Sequence, residues 1–293
     1  MITQMRSTVP ILRRDFVLFP LALLMRARAN GETPARLVER DLIATVERDA
    51  GLLPPLTLGV ARVVLRPGAS TLAATPNGAR MIVVESGVLA VASTSQEAGP
   101  LTSVELGVTP PSTREDKELF VPAGTTVTFG SLEVARVRNP GARSVVALDV
   151  AVFREEPRPI SRGFTTEDGI SFQLLASASA AAAPSGRVTL ALERLRLAGA
   201  ARLPADLCHG LTLTYVEAGS IQLSPVAGDV FAARAAASTP YSMPGSLQPI
   251  AIDQSRGITA GGVVFLPVGA ECGVVNVADR PADILALSVR EVA

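Results

Sequence analysis

Residues 261–276 read GGVVFLPVGAECGVVN, and residues 124–139 read GTTVTFGSLEVARVRN. Each stretch begins with glycine, ends with asparagine and is rich in valine, and an offset of 137 residues separates the two. Upstream of each lies a second matching pair, because Val84-Glu85-Ser86-Gly87 returns as Val216-Glu217-Ala218-Gly219 at an offset of 132. The two offsets differ by the length of a small insertion in a loop, as expected for two copies of one fold, so the sequence predicts an internal repeat.

The sequence around these stretches has the pattern of short β-strands. From Leu56 to Phe153, and again from Arg187 to Val289, valine-rich segments are separated by turn residues such as Pro-Gly, Asn-Gly and Ser-Gly. Many short strands with regular turns indicate an antiparallel sandwich or barrel. Outside this pattern, a helix is predicted between Pro34 and Asp49, and the small-residue run over 176–186 is typical of a linker.

The glycines and asparagines of the repeat resemble the two sequence motifs of the cupin superfamily, in its two-domain or bicupin form. Gly261, Pro267, Gly269 and Asn276 stand where the second cupin motif has them. The other frame positions are Gly124 with Asn139, Gly68 with Gly87, and Gly199 with Gly219. The resemblance implies an all-β fold of two tandem antiparallel jelly-roll barrels.

This resemblance divides the chain into five segments. We expect a signal segment over 1–29, an N-terminal extension over 30–55, a first cupin domain over 56–160, a linker over 161–186 and a second cupin domain over 187–293. The two halves are expected to pack against one another, as the subunits of single-domain cupin dimers commonly do.

The histidines with which cupins bind metal are missing from the ligand positions. His209 is the one histidine in the chain of 293 residues. In the first half, the resemblance places Ala74, Pro76, Arg80 and Ala135 at the ligand positions. In the second half, it places Cys272 at the histidine position of the second motif. The remaining positions of the second half hold Ala205, Leu207 and Thr212 or, if the spacer is one residue shorter, Asp206 and Cys208. Imidazole suits Mn, Fe, Ni and Zn, whereas Ala, Leu and Pro offer no lone pair. The sequence therefore predicts no metal, no other cofactor and no catalytic residue.

Strand alternation predicts which side chains face the two lumens. Arg80 is expected to point into the first lumen with Ile82, Val84, Ala135 and Val137; Thr212, Thr214, Val216, Cys272 and Val274 are expected to point into the second. Arg80 would then either hold an anionic ligand or reach the solvated barrel mouth. The same count leaves Glu85 and Glu217 outside the barrels, as strand-end surface charges.

The two cysteines and the two motif asparagines have separate expected roles. Cys208 and Cys272 are candidate lumen residues, either as buried thiols, as a disulfide or as thiolate ligands of a metal. Asn139 and Asn276 each precede turn residues and are expected to cap a hairpin.

The composition excludes one class of partner, and the N-terminus predicts export. The chain has 27 basic and 27 acidic residues and no long basic run, so it lacks the positive surface that nucleic acid requires. Arg13-Arg14 precedes the apolar run 16–25, and Ala27-Arg28-Ala29 fits the small-residue rule for signal cleavage. The run is too short to span a bilayer, and the arginine pair resembles a twin-arginine signal.

These expectations favour an exported, metal-free bicupin that acts as a non-catalytic structural or small-ligand-binding module. The resemblance leaves three alternatives open: a metal-independent isomerase or epimerase, an effector-sensing domain and, last, a metal-dependent dioxygenase or decarboxylase. A small molecule is the expected partner, and association into a homo-oligomer is left open by the valine-rich barrel faces.

Overall fold

A computed structural model describes residues 38–48, 55–74, 78–93, 102–104, 118–129, 134–153, 169–203, 210–234 and 245–292. These residues form strands and turns, with no helix among them. Accordingly, none of them belongs to a helix long and apolar enough to cross a membrane. The predicted signal segment over 1–29 lies outside these residues.

The strands fall into two series that follow the repeat. The first series is β1 (Val38–Arg48), β2 (Leu56–Leu65), β3 (Ser70–Ala74), β4 (Gly78–Ser86), β5 (Val88–Ser93), β6 (Thr102–Val104), β7 (Leu119–Pro122), β8 (Thr126–Phe129), β9 (Val134–Arg138) and β10 (Val145–Phe153). The second is β11 (Ile170–Ala180), β12 (Val188–Leu197), β13 (Leu211–Ala218), β14 (Ser220–Ala227), β15 (Val230–Ala233), β16 (Gln248–Ile250), β17 (Arg256–Thr259), β18 (Val263–Leu266), β19 (Glu271–Val275) and β20 (Ala282–Glu291).

Four antiparallel sheets build two barrels. In the first barrel, the sheet ordered β11-β2-β10-β4-β8-β6 and the sheet ordered β3-β9-β5-β7 enclose one apolar core. In the second barrel, the sheet ordered β1-β12-β20-β13-β18-β15-β16 and the sheet ordered β17-β14-β19 enclose another. The predicted all-β fold of two antiparallel barrels is therefore confirmed.

The strand registers confirm the internal repeat. Ala151 lies opposite both Gly59 and Arg80, while Ser288 lies opposite both Ala191 and Thr212. Gly59 and Arg80 are 132 residues before Ala191 and Thr212, and Ala151 is 137 residues before Ser288, which are the offsets of the repeated sequences. Equivalent positions of the two barrels can therefore be compared residue by residue.

Alternation along the strands divides the apolar side chains between the lumens and a shared core. In β4, Ile82 and Val84 join the first lumen, whereas Met81 and Val83 point to the other face. That face packs against apolar residues of β12, β13 and β20, Leu213 among them, in one buried cluster. The two halves thus pack face to face, as expected from the cupin resemblance.

Two segments that the sequence assigned otherwise are strands. Val38–Arg48 is strand β1, where a helix was predicted, and it pairs with β12 of the second barrel. Ile170–Ala180 is strand β11, which overlaps the predicted linker and pairs with β2 of the first barrel. In β11, Ala176, Ala178 and Ala180 are buried while the serines between them are more exposed. The Ala-Ser alternation has the period of a strand, and its small residues suit a close-packed sheet rather than a linker.

The motif asparagines hold the ends of strands together, as the hairpin-cap prediction proposed. Asn276 is fully buried and its Nδ2 donates to the carbonyl oxygens of Leu197, Ala198 and Arg280 at 2.9, 3.2 and 2.8 Å. Its Oδ1 accepts from the backbone N–H of Ala278 at 3.0 Å. Asn139 makes the equivalent contacts in the first barrel. The asparagine of the second motif is therefore a structural residue in this chain.

Candidate functional site

The first lumen is filled by side chains that the alternation count placed there. Ile82, Val84, Ala135 and Val137 are buried in its core, as predicted, together with Phe129. The side chain of Ala74 and the whole of Pro76 lie outside the described part of the chain.

Arg80 also points into the first lumen, and there it meets a carboxylate that the sequence motifs did not indicate. Its Nε donates to Oδ1 of Asp149 at 2.8 Å and its Nη2 donates to Oδ2, so the pair is bidentate. The side chains of Arg80 and Asp149 are only 14% and 10% exposed. Burial by itself lowers the pKa of Arg80, but the charge and hydrogen bonds of Asp149 outweigh it and raise that pKa. Arg80 therefore stays charged, and the alternative that it is solvated at the barrel mouth is wrong.

The first barrel does not fit the metal that the family implies. The glutamate position of the first motif holds the permanently charged Arg80, and the histidine position of the second motif holds Ala135. Among the described residues, the carboxylate beside them is Asp149, and Arg80 already engages both of its oxygens. A divalent ion would have to bind next to a fixed cation in a poorly solvated lumen, which is unfavourable.

The second lumen holds the predicted residues and a narrow cavity. Thr212 is buried, and Val216, Cys272 and Val274 belong to the core of this barrel. The cavity is narrow and partly open to solvent, and it is lined by Thr214 and Cys272 with Leu203, Ile221, Leu266 and Val274. Thr214 and Cys272 thus line this cavity, and Thr212 lies on the same face of β13 as Thr214.

The described residues do not complete a metal site in the second barrel either. Among the described residues, those at the motif positions that carry a donor atom are Thr212 and Cys272. No group of three His, Cys, Asp or Glu residues that could hold a metal ion is found within the described part of the chain. Asp206, Cys208 and His209 lie outside that part. The three alternatives for Cys208 and Cys272 therefore stay predictions.

A cluster of polar atoms lies on the same inner face, beside the cavity. Thr212 and Ser288 are opposite one another on β13 and β20, and Glu193 enters from β12. One oxygen of Glu193 accepts a hydrogen bond from Arg40 of β1 at 2.6 Å. Sequence reasoning missed Asp149, Glu193 and Ser288 because none of them belongs to a cupin motif. The alternation of apolar residues in β10, β12 and β20 was the available signal that they face inward.

Glu85 and Glu217 lie outside the lumens, as predicted, but they are not solvated surface charges. Each is at a bulge, and each is held by both Arg62 and Arg194 between the two barrels at 2.7–3.0 Å. Burial raises the pKa of Glu85, but hydrogen bonds from Arg194 and Arg62 outweigh it and lower that pKa. The four charges thus form one partly buried ion-pair network that obeys the repeat, because Arg62 is equivalent to Arg194 and Glu85 to Glu217.

Solved structures similar to this chain include a cupin protein. A cupin 2 conserved barrel domain protein from Leptotrichia buccalis is 9% identical, with a TM-score of 0.36, over 85% of this chain and 91% of that one. An 11S allergen from Cocos nucifera is 12% identical, with a TM-score of 0.41, over 87% and 89%. A mutant of Bacillus subtilis oxalate decarboxylase is 13% identical, with a TM-score of 0.37, over 85% and 76%. No protein-family model and no curated protein matches the chain.

The chain's own geometry agrees with the motif spacing. Gly87 and Gly219 end equivalent strands in the left-handed region, at φ of 84° and 76°. A Cβ on Gly219 would lie 2.7 Å from the carbonyl oxygen of Pro281, so glycine is required there. The described strands form two antiparallel β-barrels whose repeated glycines stand at equivalent strand ends.

Proposed function

We propose that this protein is a metal-independent, non-catalytic bicupin in which the first barrel is a structural unit. The observation that carries the proposal is the Arg80–Asp149 ion pair in the first lumen. It stands where the family uses a metal-binding glutamate, and the side chains around it are apolar. The pair supplies the lumen with balanced charges of its own.

Electrostatics makes this pair a poor starting point for metal binding. To bind a divalent ion, the first barrel would have to break two hydrogen bonds between ionised groups, which are the strong class of hydrogen bond in proteins. The freed guanidinium would then face the ion at short range, and Arg cannot be deprotonated to relieve the repulsion. Both effects oppose metal loading.

Export of the protein is part of the proposal. It is supported by the arginine pair at positions 13 and 14, the apolar run that follows and the small residues at 27 and 29. Sequencing the N-terminus of protein recovered from the periplasm or medium of an expressing bacterium tests it. A mature N-terminus close to residue 30 supports export, whereas intact protein confined to the cytoplasm contradicts it.

Metal content tests the metal-independent function. The purified protein is equilibrated with Mn, Fe, Ni and Zn in turn, desalted and analysed by inductively coupled plasma mass spectrometry. We expect less than about 0.1 equivalent of each metal, because the donor set does not match the imidazole and carboxylate ligands that these ions select. One full equivalent of any of them would overturn the proposal.

A matched variant locates any metal that does bind. Cys272→Ser removes the thiol in the second lumen, whereas Asp149→Val removes the carboxylate in the first. A stoichiometric metal lost only in the Cys272 variant would assign a thiolate site to the second barrel, and one lost only in the Asp149 variant would show that Arg80 fails to exclude metal from the first.

A further inference from the structure

The sheet ordered β3-β9-β5-β7 has an outer face with neighbouring exposed apolar side chains. Leu89 and Val91 of β5 belong to the core of the first lumen, so Ala90 between them points outward. Phe120 of β7 lies opposite Ala90, and Val88 shares the face of Ala90 two residues away. Phe120 and Val88 are 55% and 39% exposed. Contiguous apolar surface of this kind, unlike a scattered apolar residue, is typical of an interaction site.

Charged side chains flank these apolar residues on the same outer face. On β9, Arg138 lies opposite Ala90 and Arg136 lies opposite Ala92. On the other side of β5, Glu118 immediately precedes β7, and continuation of the register places it across from Ala92. The middle of the face is therefore a strip of alanines. Two arginines lie on one side of this strip, and an acid and an aromatic ring lie on the other.

One positive charge of this face is left without a partner. Arg138 and Glu118 form an ion pair, with side chains 36% and 26% exposed. Arg136 is exposed and takes part in none of the ion pairs that the described residues form with one another. A carboxylate has two oxygens with several acceptor positions, so the partly exposed Glu118 can accept from a second guanidinium as well.

The second barrel provides an internal comparison, because the registers of its outer face are the same. Gln222 lies opposite both Gly257 and Val275, as Ala90 lies opposite both Phe120 and Arg138. The repeat replaces the exposed and charged residues Val88, Glu118, Phe120, Arg136 and Arg138 by Ser220, Ser255, Gly257, Gly273 and Val275. The fold itself therefore does not require an aromatic ring or charges at these positions.

We propose that this outer face of the first barrel is a docking surface for a second copy of this chain, related by a twofold axis that runs along β5. Such an axis exchanges the sides of β5, so β9 of one copy lies over β7 of the other. Arg136 of each copy then faces Glu118 of the other, and Arg138 faces Phe120 of the other. Opposite charges thus meet across the interface, and a guanidinium meets an aromatic ring. Because the contacts are reciprocal, the association closes at a dimer.

The size of the face sets the strength of this dimer. Four strands about 4.8 Å apart, each contributing about five residues of about 3.3 Å, give a flat footprint of roughly 300 Å². Stable complexes of standard size bury about 800 Å² of accessible surface per partner. The dimer is therefore weak and reversible, with a dissociation constant in the micromolar range or above.

Sedimentation velocity of the full-length protein over a series of concentrations tests the dimer. We expect a monomer–dimer equilibrium that added salt weakens, because exposed charges are screened. Phe120→Ser should weaken it at least about tenfold, since aromatic residues carry much of the energy of an interface. Ile252→Ser is the matched control, because Ile252 is 58% exposed on the second barrel and should not affect association. Wild-type protein that stays monomeric, which would leave the face to a partner of another sequence, or equal effects of the two variants, would overturn the proposal.

Charge reversal tests the twofold arrangement. Arg136→Glu and Glu118→Arg should each weaken self-association at least about tenfold, because like charges then face one another across the axis. An equimolar mixture of the two variants should dimerise again, since each reversed side chain meets an opposite charge on the other variant. Both changes are at the surface, so circular dichroism should show two folded proteins. If the mixture of folded variants fails to recover the dimer, the twofold pairing is refuted.

Discussion

Replacing Asp149 by valine should destabilise the protein by about 3 kcal/mol, because the change leaves the buried guanidinium of Arg80 without its carboxylate. Removing one partner of a buried ion pair costs about 3–5 kcal/mol. The lower end applies here because the two side chains retain 14% and 10% of their exposure. Arg80→Met keeps most of the side-chain length, removes the charge and should cost a similar amount, since it leaves Asp149 buried and unpaired.

The double variant Arg80→Met with Asp149→Val carries the sharper expectation. Apolar replacement of a whole buried ion pair is often neutral or even stabilising. The double variant should therefore be less than about 2 kcal/mol below the wild type, rather than the roughly 6 kcal/mol that two independent losses would give. The coupling energy of the cycle should therefore be at least about 4 kcal/mol.

Urea unfolding followed by circular dichroism measures the four free energies. Arg138→Met is the matched control, because Arg138 pairs with Glu118 at the surface, where ion pairs contribute little. If the two single changes in the first lumen add, or if Arg138→Met costs as much as Arg80→Met, the reasoning about the lumen pair is refuted.

Three further changes test the fold and the junction of the barrels. Asn276→Ala should lower the unfolding free energy by about 3–5 kcal/mol in urea denaturation, because it leaves buried carbonyl groups without a donor. Asn139→Ala should have the same effect, and a loss below about 1 kcal/mol in either variant would contradict the structural role of these asparagines. Gly219→Ala should cost at least about 2 kcal/mol in the same assay through its left-handed φ of 76° and the 2.7 Å approach to Pro281, whereas Gly257→Ala, with nothing within 4 Å, should change it by less than about 1 kcal/mol. The network should also make stability depend on pH. Because the folded pKa of Glu85 is lowered from 4.5, its contribution is present above that pH and is lost as the pH falls through the lower folded value. Glu85→Gln should therefore flatten the loss of thermal stability below about pH 4.5, while Glu47→Gln, at an exposed pair, should not.

The inward orientation of the candidate site residues could be predicted because it depends on local geometry. Side chains alternate between the two faces of a strand, so placing Arg80 in a lumen also places Ile82 and Val84 there. The same rule predicted the orientation of Thr212, Thr214 and Cys272. The partners of these residues could not be predicted in the same way. Asp149 meets Arg80 only because β10 pairs with β4 in one particular register.

The β1 and β11 assignments failed for a related reason. Both segments have weak hydrophobic patterns of their own, charged in β1 and rich in alanine and serine in β11. Each is a strand because it pairs with the opposite half, β1 with β12 and β11 with β2. Tertiary context commonly overrides local propensity in strands, because what stabilises a strand is its packing against neighbours.

By itself, then, the sequence determined the all-β class, the repeat, the motif framework and the faces of the main strands. These follow from glycine at left-handed turns and from the two-residue period of a strand, both of which are local properties of the chain. Only the tertiary structure decided that Asp149 neutralises Arg80, that Arg62 and Arg194 bind Glu85 and Glu217 between the barrels, and that Glu193, Thr212 and Ser288 share one inner face. Those contacts join residues far apart in the chain, and a pair of side chains meets only when strand order and register bring them together.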